Sequence, residues 1–147
     1  MANSNYPPVG FYFKVSFQGG DINSQVSFKE ASGLSVEMTP EDIKEGGLLQ
    51  YQHRVPGVPK YQNLVLKRGL VRDSSLRTWM EKGIKEFSFT PIIVTVALLN
   101  EEGQPLMSWV AHNVWPVKWE VSGFDALENA LVLESIELAY SYFETKT

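Results

Sequence analysis

Phe11, Phe13, Val15 and Phe17 alternate with Tyr12, Lys14, Ser16 and Gln18, and a period of two is the spacing of a strand with one buried and one wet face. The same alternation returns where Trp115, Val117, Trp119 and Val121 interleave with Pro116, Lys118, Glu120 and Ser122. It appears again from Leu131 to Phe143, with Val132, Ile136, Leu138, Tyr140 and Tyr142 on one side and Leu133, Ser135, Glu137, Ala139 and Ser141 on the other. From Ile92 to Leu99 both sides are apolar, as in a strand buried on nearly both faces. Gly19-Gly20-Asp21 and Asn100 to Gln104 supply the turns of two hairpins, the second returning through Pro105 to Val114. Such a pattern leaves little of the chain for helices. The expected fold is mainly β, a single-domain β-barrel or sandwich over residues 1–147 with seven or eight strands.

One helix is predicted, from Ser74 to about Lys82. Asp73 or Ser74 can cap its first turn, Leu76, Trp79 and Met80 share a face, and Gly83 suits the position just past its end. It should flank an open sheet face or barrel end. The stretch from about 35 to 59 breaks the pattern, because Thr39-Pro40, Glu45-Gly46-Gly47, Pro56, Gly57 and Pro59 interrupt it. We expect a long extended excursion with short strands near Ser35–Met38 and Leu48–Arg54. Leu48, Leu49, Tyr51 and Val55 argue that it packs on something.

Chemistry is scarce. With no cysteine, thiolate metal sites, cysteine nucleophiles and disulfides are excluded. His53 and His112 lie in different segments without a spaced carboxylate or second histidine, so neither suggests a metal. No Gly-x-Ser-x-Gly elbow, phosphate-cradling loop or His-Glu-x-x-His motif occurs. No cofactor is expected. Glu134 stands out, since its alternation places a carboxylate among Val132, Ile136 and Leu138, where it needs a partner such as an arginine of the same or a neighbouring subunit. A hydrolase using Glu134 with Glu120 or Asp125 lacks supporting spacing. Trp79, Trp109, Trp115 and Trp119 admit a carbohydrate- or ligand-binding β-sandwich as the alternative reading, although the core accounts for them more simply.

The net charge of −4 points to neither nucleic acid nor a membrane surface. Its distribution is uneven: residues 54 to 85 carry eight Lys or Arg against two acids, and residues 101 to 144 carry eight acids against Lys118. That asymmetry reads either as two solvated faces or as unlike ends that attract a neighbouring copy. The longest strongly apolar run, Pro91 to Leu99, is far shorter than a membrane-spanning helix needs. The first residues show no basic region followed by an apolar core, so the chain is expected to be made and assembled in the cytoplasm.

Several stretches are similar to the inner-tube proteins of contractile injection systems and contractile phage tails. They are Pro8-Val9-Gly10-Phe11-Tyr12-Phe13-Lys14-Val15, Phe28-Lys29-Glu30-Ala31-Ser32-Gly33-Leu34, Glu45-Gly46-Gly47, and His53-Arg54-Val55-Pro56-Gly57. Tyr61 to Gly69, Asn113 to Trp119 and Glu134 to Tyr140 continue the series in order across nearly the whole chain. The extracellular injection particles are the members it resembles most, with phage tails and the type VI secretion tube further off.

The resemblance implies a non-enzymatic structural protein. Six copies would form a ring, rings would stack head to tail into a rigid tube, and a contracting sheath would drive the tube into a target cell. The implied partners are other copies of the chain, the sheath, baseplate or spike proteins, tube-terminating proteins and a possible lumenal cargo. No specific nucleic acid is implied unless a phage genome passes through. The residues assigned to inter-ring stacking are Met38, Glu45, Gly46, Gly47, Leu48, Leu49, Tyr51, Arg54, Arg68 and Arg72. Ser135, Glu137 and Ser141, on the wetter side of the last strand, are the candidates for the lumen.

Overall fold

The computed structural model describes residues 12–20, 22–43, 53–70, 75–87, 90–122 and 132–147. Ten strands and one helix run in the order β1 (Tyr12–Gly19), β2 (Ile22–Phe28), β3 (Glu30–Ser32), β4 (Val36–Ile43), β5 (His53–Tyr61), β6 (Leu64–Gly69), α1 (Ser75–Glu86), β7 (Ile92–Leu99), β8 (Pro105–Ser122), β9 (Leu133–Ala139) and β10 (Tyr142–Lys146). The mainly β class with one helix is as the alternation predicts.

Eight strands form one antiparallel sheet in the order β2-β1-β7-β8-β9-β6-β3, with β10 also on β8. Two corners fold this sheet into two layers. β8 is 18 residues long: its first half pairs with β7 and β10, and its second half with β9. The bend falls at Asn113, which lies in the left-handed region at φ 57°; asparagine tolerates this conformation better than most residues. Sequence reading divides β8 into two strands at Val114, whereas the ladder runs through. Conversely, the expected last strand is two, β9 and β10, separated at Tyr140 and Ser141 where Ser141 N–H bonds the His112 carbonyl. The second corner is at Lys29, between β2 on β1 and β3 on β6, where Lys29 N–H donates to the Lys67 carbonyl. The ladder thus begins and ends on adjacent pieces of chain without closing into a barrel.

Between the layers lie Val15, Phe17, Ile22, Phe28, Leu64, Leu66, Val94, Val96, Ile136 and Leu138, all buried. The rings of Phe17 and Phe28 meet at 6.4 Å in a tilted pair, and burying each contributes roughly 2–3 kcal/mol. α1 covers the core with Leu76, Met80 and Gly83, spaced along one helical face. The helix therefore runs past Gly83, which the sequence suggests as its terminator. The left-handed residue after it is Phe87, at φ 53°. The packing value of a small residue against the core outweighs its capping preference. Asp73 and Ser74, the proposed caps, lie outside the described residues.

β4 and β5 form a separate two-stranded sheet. Pro56 and Pro59 sit inside β5 opposite Pro40 and Met38, where sequence reading places a punctuated loop. A two-stranded ribbon has an outer edge on each strand, so a proline can point its missing N–H away from the ladder. The register shifts between Met38 and Pro40, and at that irregularity a Cβ on Gly57 would collide with the Thr39 carbonyl oxygen. Gly57→Ala should therefore loosen this hairpin while leaving the core intact. Faster proteolysis within the hairpin, with an unfolding midpoint close to wild type, is the expected outcome of limited digestion and urea titration.

Candidate functional site

The hairpin of β4 and β5 presents apolar residues to solvent: Val36, Met38 and Val58 are all more than half exposed. Val36 faces Tyr61 and Met38 faces Pro59 across the ribbon. Arg54 forms an exposed pair with Asp42 at 3.2 Å across the same ladder. Such a pair contributes little to stability. At the hairpin's base, Tyr61 meets Tyr140 edge-on at 5.8 Å and Phe143 at 5.4 Å. Tyr140 O–H donates to the Gly33 carbonyl at 3.1 Å. Burial, followed by the nearby Tyr61, pushes the Tyr140 hydroxyl up to about 12, so it stays a donor at neutral pH.

Of the residues assigned to stacking, Met38 and Arg54 stand on this exposed ribbon. Glu45, Gly46, Gly47, Leu48, Leu49, Tyr51 and Arg72 lie outside the described residues, as does most of the strand expected over Leu48–Arg54; β5 begins at His53. Arg68 differs from Met38 and Arg54. It is 5% exposed, and its Nε donates to Glu134 Oε2 at 2.8 Å. Trp119 Nε1 donates to Glu134 Oε1 at 2.7 Å, and Arg77 Nε approaches the same oxygen at 3.8 Å. The guanidinium of Arg68 lies over the Phe28 ring at 5.4 Å and that of Arg77 over Trp119 at 5.7 Å. The partner that Glu134 requires is thus an arginine of its own subunit. Unlike Met38 and Arg54, Arg68 is buried with its guanidinium turned to Glu134 of the same subunit, a place in the core and not on the exposed ribbon.

The cluster also explains part of the charge asymmetry. Two cations of the basic block, Arg68 and Arg77, close on Glu134 of the acidic block within one subunit. It joins α1, β6, β8 and β9 at a single carboxylate. Both of its oxygens are occupied by donors in an otherwise apolar layer. This arrangement is that of a structural ion cluster: Glu134 is 0% exposed, with a donor on each of its oxygens. No group of three metal-ligating side chains occurs among them either. His112 stacks on Tyr142 at 4.6 Å, with Nε2 3.9 Å from Glu144.

The outward face of the β3-β6-β9-β8 layer holds Ser135 and Glu137. Ser135 lies between Lys67 and Glu120 in register, and Glu137 between Val65 and Lys118. Ser141 sits apart, at the break before β10, where its hydroxyl accepts from Asn113 Nδ2 at 3.3 Å. The structure therefore brings two of the three lumen candidates onto one face. Lys67, Lys118 and Glu120, which share that face, escape sequence reading because only the strand register reveals them.

A family model described as the T4-like virus tail tube protein gp19 matches residues 9–144. The chain belongs to the tail tube protein family. No curated protein sequence matches it. Among solved structures, a chain of the anti-feeding prophage baseplate, six-fold symmetrised, is similar with a TM-score of 0.80 and 26% identity, over 97% of each chain. A chain of the sheath-tube complex of an extracellular contractile injection system, in its extended state, has a TM-score of 0.76 and 23% identity, over 98% of this chain and 94% of that one. Hcp1 from Flavobacterium johnsoniae shares the fold at a TM-score of 0.55 and 13% identity, over 92% and 94%. The tube role, and not the ligand-binding sandwich, is what these relationships support.

Proposed function

We propose that this chain is the building block of the inner tube of a contractile injection particle, with six copies to a ring and rings stacked head to tail. The observation that carries the stacking is the β4–β5 hairpin. Its ladder is its own, it exposes Val36, Met38 and Val58, and a lone two-stranded ribbon is marginal in water unless it packs on something. A neighbouring ring supplies that surface. The contact joins unlike parts of two subunits, and a heterologous contact that does not close on itself propagates as a filament. Met38 and Arg54 on the ribbon, Arg72, and the segment Glu45 to Tyr51 are the residues that reach across.

The surrounding sheath, the baseplate and a tube-terminating protein are the further partners, in keeping with the assemblies from which the similar structures come. Sheath contraction would then propel the tube into a target cell, with no catalysis by this chain.

Replacing Met38 to Val55 by a short Gly-Ser turn tests the stacking. Electron microscopy should show rings that no longer grow into tubes, with the isolated subunit still folded by circular dichroism. Normal tubes from this variant would sink the stacking role of the hairpin.

A further inference from the structure

The ribbon of β4 and β5 meets the rest of the subunit at its root. Among the described residues the two strands pair only with each other, and Tyr61, the last residue of β5, supplies the ring contacts to the layers. It stands edge-on to Tyr140 at 67° and to Phe143 at 79°, and those two rings meet each other at 6.0 Å and 66°. Three rings, each steeply inclined to the other two, close into a wedge. Edge-to-face contact favours this geometry, and a ring that slides along its neighbour loses it. Backbone ties the same point: the Gly33 carbonyl accepts both the Tyr140 hydroxyl at 3.1 Å and the Ser35 N–H at 2.9 Å. Across the two legs of the ribbon, Gln62 N–H donates to the Ser35 carbonyl at 3.4 Å.

This root carries a long arm. β4 is 8 residues long, about 26 Å at roughly 3.3 Å per residue. A tilt of about 10° at the root therefore carries the far end about 4–5 Å, close to the spacing between neighbouring strands. An error of that size places each contact on the wrong neighbour. β10 takes part in holding the angle. It is paired to β8 from Tyr142 to Lys146, and of its residues only Phe143 is shielded from solvent. That one ring goes to the wedge. The C-terminal strand thus steadies a hairpin formed in the first half of the chain.

We propose that Tyr61, Tyr140 and Phe143 are positioning residues for tube growth: they hold the hairpin at the angle at which it meets the next ring, so that the same rotation is repeated at every ring added. The inference rests on the tube reading and on the stacking role of the hairpin. Val36, Met38 and Val58 supply the contact, and the wedge supplies its direction. A segment that spends only a fraction of its time in the competent orientation loses apparent affinity by that fraction, a cost that a pre-aimed arm avoids. Loosening the wedge until the hairpin points correctly about a tenth of the time raises the concentration needed for growth about tenfold.

The chain has no native cysteine, so spin labels at Asn23→Cys and Val58→Cys, one on β2 and one on the ribbon, report the direction of the hairpin in labelled subunits diluted with unlabelled protein. The distance distribution should be narrow in the otherwise native protein and with Tyr61→Phe, and broad with Tyr61→Ala. Without the labels, Tyr61→Ala should keep the native circular dichroism yet need about tenfold more protein to grow tubes, and cryo-electron microscopy of those tubes should show scattered rotation between rings. Tyr61→Phe should restore both the threshold and the rotation. Tyr61→Leu keeps apolar volume without the edge-on geometry, and it carries the same expectations in place of the alanine variant should that one unfold. A broad distribution in the native protein, an equally narrow one without the Tyr61 ring, or ringless variants that grow tubes of native rotation at the native threshold overturns the aiming role. Failure of wild-type protein to form tubes, or normal tubes after replacement of the hairpin, overturns the tube or the stacking reading instead.

Discussion

Replacing Glu134 by alanine is expected to destabilise the unassembled subunit by about 3–5 kcal/mol, because it breaks a buried ion pair by removing the carboxylate that the Arg68 guanidinium meets at 2.8 Å. The loss exceeds that of an ordinary hydrogen bond. Glu134 holds Arg68 at 2.8 Å and the Trp119 indole at 2.7 Å, so its removal takes the acceptor from a buried and a half-buried donor at once. Glu134→Gln should fall between wild type and alanine, since the amide oxygen can still accept from one donor but the attraction to Arg68 is gone. The informative variant is the double replacement Arg68→Met with Glu134→Leu. Apolar groups of similar volume remove the charge and its partner together, and should recover part of the stability lost in the alanine variant, the remainder being the Trp119 N–H and Arg77, which still lose Glu134 as acceptor. Urea unfolding of the unassembled subunit measures all three. A loss below about 1 kcal/mol in Glu134→Ala would show that the cluster is solvated and contributes no more than a surface pair. The same series separates a core role from a stacking role for Arg68, because the double variant should still assemble.

Gly33→Ala is the second substitution with a large expected effect, about 3 kcal/mol or more. Gly33 has φ 91°, outside the range that L side chains readily adopt, and a Cβ there would overlap the Asn63 carbonyl oxygen. Neither problem is relieved by a rotamer change, because the obstacle is backbone. Asn63 directly precedes β6 and Gly33 directly follows β3, so separating them opens the β3–β6 ladder at the corner of the sheet. The Gly33 carbonyl also receives the Tyr140 hydroxyl and the Ser35 N–H. A shift here therefore disturbs the Tyr61, Tyr140 and Phe143 cluster on which the hairpin stands. Gly33→Ala should lower the unfolding midpoint of the whole subunit, whereas Gly57→Ala should act on the hairpin alone. An unchanged midpoint in Gly33→Ala would mean that the corner can rearrange without cost.

Strands were legible wherever one face is apolar and the other polar, as at Val15 and Phe17 against Ser16 and Gln18. Alternation follows from the geometry of a pleated chain and needs no knowledge of neighbours. Bends were harder to read. Lys29 and Asn113 carry no strong turn signal, and the positions where β2 gives way to β3 and β8 changes layers are set by what each half pairs with. The helix end was misplaced at Gly83 because a glycine that packs on a core and one that ends a helix look identical in sequence. Pro56 and Pro59 look like breaks for a similar reason: a proline breaks a central strand but not the outer edge of a ribbon.

The candidate surfaces divide along the same line. That Glu134 must be paired followed from its place in an apolar series, since an isolated buried carboxylate costs several kcal/mol. That the partner is Arg68, 66 residues away, depends on β6 lying beside β9. Alternation alone makes this chain a β protein, and the ordered matches along it point to the tail tube family. Which arginine sits in the core, which stretch stands apart as a hairpin, and which charges share a face with Ser135 and Glu137 follow from how the strands pack. Local pattern fixes the direction of each side chain relative to its own strand; strand order and register, set by contacts distant in sequence, fix its neighbours.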